Sequence, residues 1–202
     1  MVCTCTNCSG KKCSKSLQAI IFIMKVTATT LPGVLILEPK VFRDPRGFFL
    51  ECYNQRAMAE AGIREHFVQD NHSFSNCNVV RGLHYQVRPQ GKLVRVAVGE
   101  ILDVVVDLRR SSPAFGTWCG VKLSEANQQM LWIPPGFAHG FRVLSQGAHV
   151  LYKATDFYDP SAERTIAWND PGLKIDWQLD TPPTLSTKDG QGGSFAEAEV
   201  FS

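Results

Sequence analysis

Ile101-Leu-Asp-Val-Val-Val-Asp-Leu-Arg109 is the stretch on which the fold turns. Leu102, Val104, Val106 and Leu108 fall on one side of a two-residue repeat, and Asp103, Asp107 and Arg109 on the other. That is the period of a strand, whose successive side chains point to opposite faces. Immediately upstream, Lys92-Leu-Val-Arg-Val-Ala-Val98 is a second such run, and the intervening Gly99-Glu100 reads as the turn of a hairpin. Leu131-Trp-Ile133, Phe141-Arg-Val-Leu144 and His149-Val-Leu-Tyr-Lys153 continue the series downstream. From Thr27 onward Gly and Pro recur between short runs of Val, Ile, Leu, Phe and Trp, the spacing of a sandwich or barrel. Helical material is sparse. Asn54 to Ile63 reads as one short helix with Gly62 near its C-cap, and Ser124 reads as capping another turn through Met130. The pattern predicts an all-β domain that closes on itself, with a few short peripheral helices.

The chain has 202 residues, enough for one domain with a proper core, and no repeat or linker divides it. Residues 24–190 are expected as that single domain. Asp180-Thr-Pro-Pro183 marks the end of the regular strands, and the Gly-rich 191–202 is expected as a mobile tail. With 44% hydrophobic and 20% charged residues the balance is that of a soluble globular protein. A formal charge of +2 supplies no basic field for nucleic acid, so a bound anion must be held by a local cluster. No apolar run is long enough to span a bilayer, and no membrane partner is expected.

Seven cysteines are unevenly placed. Cys52, Cys77 and Cys119 stand singly among apolar residues, as small core side chains do in a reducing compartment, so a cytoplasmic protein is expected. Cys3, Cys5, Cys8 and Cys13 crowd residues 1–23, but their spacing has neither two C-x2-C knuckles nor a histidine, and no metal is expected there. The apolar run before Lys25 is too short for a secretory signal. Residues 1–23 are expected as a disordered extension, with Met24 reading as a natural start.

Two segments carry the candidate chemistry, Arg81-Gly-Leu-His-Tyr-Gln86 and Ile133-Pro-Pro-Gly-Phe-Ala-His-Gly-Phe141. In the first, His84 and Gln86 share one face of a strand while Leu83 and Tyr85 point away. In the second, two prolines and Gly136 make a turn that delivers His139 to the start of a strand. Their placement resembles the two motifs of metal-binding cupins, which implies a cupin-type jelly-roll barrel with a small-molecule site inside. Gln86, however, stands where such a motif puts its second histidine. A divalent metal wants at least three ligands from His, Cys and carboxylates, so a cupin-shaped site without metal or other cofactor is expected. A neutral imidazole free of metal can serve as a general base if a carboxylate fixes its tautomer. Asp103, Asp107, Asp156, Asp159 and Asp189 all remain open as that partner, and a structural hydrogen bond remains an equal reading of either histidine.

Further segments make the resemblance specific. Together with Gln90-Gly-Lys-Leu-Val-Arg95, Leu151-Tyr-Lys153, Trp168-Asn-Asp170 and Leu185-Ser-Thr-Lys-Asp189, these motifs resemble the dTDP-4-dehydrorhamnose 3,5-epimerase family, in consistent order from about Met24 to Asp189. The resemblance implies His84 as catalytic base, Asp189 as its carboxylate partner, Tyr152 as the acid on the opposite face of the sugar, and Lys92 as an active-site cation. It further implies Arg46, Glu51, Gln69, Asn71, Arg81, His139, Glu163 and Lys188 as substrate-binding positions. A homodimer whose nucleotide pocket borrows residues from the neighbouring subunit is implied in the same way.

The implied chemistry is physically coherent. A ketone at C4 acidifies the hydrogens on C3 and C5, because either carbanion delocalises as an enolate. A base on one face and an acid on the other then invert the centre, with cationic donors on the enolate oxygen. The diphosphate calls for guanidinium groups, for which Arg81 and Arg46 are candidates. Phe48 and Phe49 can flank the base, although core packing is the commoner fate of such aromatics. The same motifs would serve a relative that inverts only one centre, and less well a non-catalytic sugar-nucleotide binder.

Overall fold

The computed structural model describes residues 24–202. Expectations for the cysteine-rich leader therefore lie outside the described residues. Two antiparallel sheets face one another as a cupin-type jelly roll. One has the order β1 (Lys25–Ala28), β2 (Leu35–Glu38), β10 (Met130–Ile133), β7 (Lys92–Val98), β12 (Gly147–Ala154), β5 (Gln69–Asn76). The other has the order β13 (Glu163–Thr165), β6 (Val80–Gln86), β11 (Phe137–Val143), β8 (Glu100–Asp107), β9 (Trp118–Ser124). A separate hairpin, β3 (Val41–Asp44) with β4 (Gly47–Leu50), completes the strands.

The expected hairpin of residues 92–109 does not form. β7 pairs with β10 and β12, whereas β8 pairs with β11 and β9, so the two consecutive strands lie in opposite sheets. Gly99 is the corner between them, with φ +85°, and a Cβ there would lie 2.2 Å from the Gly147 carbonyl oxygen. Alternation in sequence reports which face each side chain takes. It carries no information on which strand is the neighbour.

That alternation is obeyed in β8, where both faces are buried. Ile101 and Val105 join Val94, Val96, Leu131, Ile133 and Val150 of the other sheet in the core between the walls. Leu102, Val104 and Val106 point outward, yet they are covered by Ile166, Leu173 and Trp177. Each such side chain contributes about 1.5–3 kcal/mol through its removal from water. A third cluster, of Leu37, Met58, Leu93, Met130 and Trp132, seats helix α1 (Gln55–Glu60) on the outer face of the six-stranded sheet.

The helix begins as its sequence predicts, with the Asn54 side chain accepting from the Arg56 and Ala57 amides, and it ends before Gly62 at φ +89°. Ser124 caps only a tight turn. Its hydroxyl accepts from the Asn127 amide while Asn127 Oδ1 accepts from the Ser124 amide, and β10 starts at Met130. These reciprocal bonds satisfy the turn without any helical continuation.

Residues 191–202, expected as a mobile tail, are docked. Gly193 exchanges backbone hydrogen bonds with Thr165 and Ala167, and the Phe201 amide and carbonyl bond Leu108 and Arg110. Phe201 meets the Tyr85 ring edge-on at 6.1 Å. The glycines here serve close approach rather than mobility, since a Cβ on Gly192 would fall 2.7 Å from the Ala167 nitrogen. Short helix α2 (Thr187–Gly190), capped by Ser186, lies just upstream and carries Asp189. No helix among the described residues is long and apolar enough to cross a membrane.

Candidate active site

A cavity of about 620 Å³, counting its open mouth, enters the barrel between the two sheets. His84, Gln86 and His139 reach it from the five-stranded sheet, and Lys92, Tyr152, Gln69 and Asn71 from the six-stranded sheet.

His84 and His139 are register partners on β6 and β11. The strands approach unusually closely beside them, because Gly82 and Gly140 lie back to back and the ladder is irregular between His139 and Phe141. His84 Nε2 lies 2.5 Å from Asp189 Oδ1. Asp189 is buried, accepts from Ser186 Oγ at 2.7 Å, and receives the Gly82 amide at 3.3 Å. Burial pushes this carboxyl up, but the bonds from His84, Ser186 and Gly82 outweigh it and hold Asp189 below the usual carboxylate range. An ionised carboxylate only accepts, so a neutral His84 carries its proton on Nε2 and leaves the Nδ1 lone pair free.

His139 repeats the arrangement with a different acid. Its Nε2 lies 2.5 Å from Oδ1 of Asp103, a carboxylate with no exposed surface whose Oδ2 has no hydrogen-bond partner among the described residues. Burial lowers the pKa of His139, although Asp103 opposes this. His139 is therefore neutral at pH 7, with Nε2–H given to Asp103. Lys92 is also lowered, to about 8, chiefly by burial and against the pull of Asp103 and Glu163. Its Nζ stands 5.9 Å from the centre of the Tyr152 ring. The Tyr152 phenol is raised by burial and by Glu163, with Arg81 opposing, so it stays protonated at neutral pH.

Polar side chains line the cavity or stand close to residues that do. Lys188 Nζ donates to Glu163 at 2.6 Å, and the Tyr158 hydroxyl donates to the other Glu163 oxygen at 2.9 Å. Gln69 Nε2 donates to Asn71 Oδ1 at 2.9 Å, and Asn71 Nδ2 is buried without a partner among the described residues. Arg81 is held on β5 by Ser75 Oγ at 2.8 Å and by the Phe74 carbonyl at 3.2 Å. Among the described residues no group of three or more His, Cys, Asp or Glu is arranged to hold a metal ion.

Four expected substrate-binding residues are not part of the cavity lining: Arg81, Lys188, which reaches it only through Glu163, and Arg46 and Glu51, which lie apart from it. Arg46 sits in the exposed β3–β4 hairpin, paired with Asp44 at 2.6 Å. Glu51 borders a separate small cleft with Lys40 and Ala57. Conversely, Tyr158 lines the cavity although no sequence signal singled it out, and Gln90 and Phe137 line it from motifs that gave them no role.

Residues 28–197 match the family model of dTDP-4-dehydrorhamnose 3,5-epimerase. The chain belongs to that family. The dTDP-4-dehydrorhamnose 3,5-epimerase of Pseudomonas aeruginosa is 59% identical over 180 residues, covering 88% of this chain and 99% of that protein. The epimerase of Shigella flexneri is 54% identical over 181 residues, with 88% and 99% covered. Among solved structures, the dTDP-6-deoxy-D-glucose-3,5-epimerase of Legionella pneumophila in complex with dTDP-4-keto-L-rhamnose superposes with a TM-score of 0.85. It is 47% identical, covering 88% of this chain and 95% of that one. The family match runs past residue 190 and so takes in part of the docked C-terminal segment.

Proposed function

We propose that this chain is a dTDP-4-dehydrorhamnose 3,5-epimerase, converting dTDP-4-keto-6-deoxy-D-glucose to dTDP-4-keto-L-rhamnose by inversion at C3 and C5. The observation that carries the reading is a His84–Asp189 pair on one wall of the cavity and a protonated Tyr152 on the other. In this reading His84 Nδ1 removes the proton alpha to the ketone and Asp189 stabilises the imidazolium that forms. Lys92 faces the oxygen that gains charge, and Tyr152 returns a proton to the opposite face of the carbon. His139 has spent its Nε2–H on Asp103, so as a neutral ring it offers a sugar hydroxyl an acceptor. Glu163, Lys188, Gln69, Asn71 and Arg81 bind the substrate around this centre. Cys52, Cys77 and Cys119 are free thiols, which supports a cytoplasmic location.

Incubation with dTDP-4-keto-6-deoxyglucose in heavy water tests the reading. Deuterium should enter at both C3 and C5. Label at one carbon would move the chain to the single-centre epimerases, and label at neither would overturn the reading.

Lys92 gives the rate its alkaline limb. Its pKa is lowered from 10.5 to about 8 in the fold, so it is cationic below about 8 and loses that charge as pH rises through it. The kcat/KM, which reports the free enzyme, should therefore fall above about pH 8, and Lys92→Arg should move the limb upward while lowering the plateau. A limb that ignored this substitution would remove Lys92 from the role. In Asp189→Asn the amide can donate to His84 and so favour the wrong tautomer. The kcat should fall roughly 10²–10⁴-fold, the span of a general-base contribution, with KM little changed.

We further infer a homodimer in which the β3–β4 hairpin of a second copy brings Arg46 and Glu51 to the nucleotide end of the cavity. The hairpin forms no part of either main sheet and exposes Phe48 and Phe49. After subunit exchange, an equal mixture of inactive His84→Ala and Arg46→Ala chains should recover about a quarter of wild-type activity, since half the dimers would own one intact site. No recovery would argue against a shared site.

A further inference from the structure

Gln86 is a cavity residue that the proton-transfer chemistry leaves unused. It is 5% exposed, on the same face of β6 as His84, and both ends of its amide are taken by backbone. Its Oε1 accepts from the Asp159 amide at 2.7 Å, and its Nε2 donates to the Phe157 carbonyl at 3.3 Å. Two more glutamines hold the same loop. Gln69 Oε1 accepts from the Tyr158 amide at 2.9 Å, and Gln90 Nε2 donates to the Asp156 carbonyl at 2.5 Å. Four consecutive residues thus each have a backbone group tied to a glutamine side chain from β5, β6 or the approach to β7. The loop they form joins β12, which carries Tyr152, to β13, which carries Glu163. It also presents the half-exposed Tyr158 at the cavity mouth.

We propose that Gln86 is a positioning residue that clamps the 156–159 loop across the mouth, setting substrate affinity rather than proton transfer. The proposal rests on the epimerase reading above. The residue type is dictated by the bonds it makes. A primary amide sets an acceptor oxygen and a donor nitrogen side by side in one plane, which here match an N–H and a C=O two residues apart. Glutamate has the same shape but no donor, and would set a carboxylate oxygen against the Phe157 carbonyl. The position at which a metal cupin places a ligand has become the anchor of a loop.

Gln86→Glu keeps the volume, and Gln86→Ala removes the clamp outright. Each should raise KM for dTDP-4-keto-6-deoxyglucose about tenfold and leave kcat within about threefold, the signature of lost binding rather than lost chemistry. Backbone amides of 156–159 should exchange with deuterium about tenfold faster than in the wild type, while those of β11 are unchanged. A kcat that falls at constant KM, or loop exchange that does not move in either variant, would overturn the proposal. The exchange is read on the unliganded protein. A wild-type chain with no epimerase turnover would therefore sink the functional reading and leave the clamp to be judged on exchange alone.

Discussion

In His84→Ala, turnover should fall roughly 10²–10⁴-fold, the span of a general acid–base contribution, and deuterium should cease to enter the substrate at both C3 and C5. The loss should appear in kcat and kcat/KM together, because the imidazole gains its charge only as the reaction proceeds. Removal of the ring also strands Asp189, a buried carboxylate that would keep only Ser186 and the Gly82 amide. Its pKa should rise once the His84 bond is gone. The double variant His84→Ala/Asp189→Ala should therefore be no slower than the single one and more stable near neutral pH, an advantage that fades in acid as the stranded carboxyl is protonated. Activity near wild type in His84→Ala would refute the assignment of the base, and wash-in at one carbon alone would mean that a second base serves the other.

A large loss of stability is expected from Gly82→Ala. A Cβ there would lie 2.6 Å from Gly140 Cα and 2.8 Å from the His139 carbonyl oxygen, at a backbone φ of +119°. Both contacts are backbone, so no side chain can swing aside. A left-handed φ costs a side chain about 1–2 kcal/mol and overpacking about 1–3 more, so roughly 3 kcal/mol should be lost, or about 6–12 °C in Tm. Gly62→Ala is the internal control. Its φ is +89° but nothing lies within 4 Å of the added carbon, so it should show the conformational part alone. Equal losses at the two positions, read by thermal unfolding, would mean that the close approach of β6 and β11 is not what requires glycine at 82.

The motifs at residues 81–86 and 133–141 told most of the site from the sequence, because a strand's period of two fixes which side chains share a face. His84 and Gln86 line one cavity for that reason, and His139 joins them as the register partner of His84 on β11. The partner of His84 was not legible from the residues themselves. Five aspartates qualified, and a choice by nearness in sequence would have found neither Asp189, which lies 105 residues away, nor the bond of Asp103 to His139. The pairing of strands was hidden for a related reason. Gly99 looks the same whether it turns a hairpin or a corner between sheets, and what decides is the burial of both faces of β8. The tail misled because glycine was read as freedom, where Gly192 and Gly193 instead let two backbones touch. Arg46 and Glu51 are a different case. Their expected role comes from resemblance, and one chain has no geometry to express it.

The proposed base and acid stand on opposite walls of the barrel, so the same packing that dries the interior also acts as a calliper on the reaction. Two sheets packed face to face sit about 10 Å apart, a gap set by the volumes of the side chains between them. Val94, Val96, Val105 and Val150 therefore gauge the jaw opening without touching a sugar. Enlarging or shaving one of them would tune how far a proton must travel at each carbon. Directed changes deep in this barrel, rather than at its rim, are the natural place to look for variants that invert one centre faster than the other.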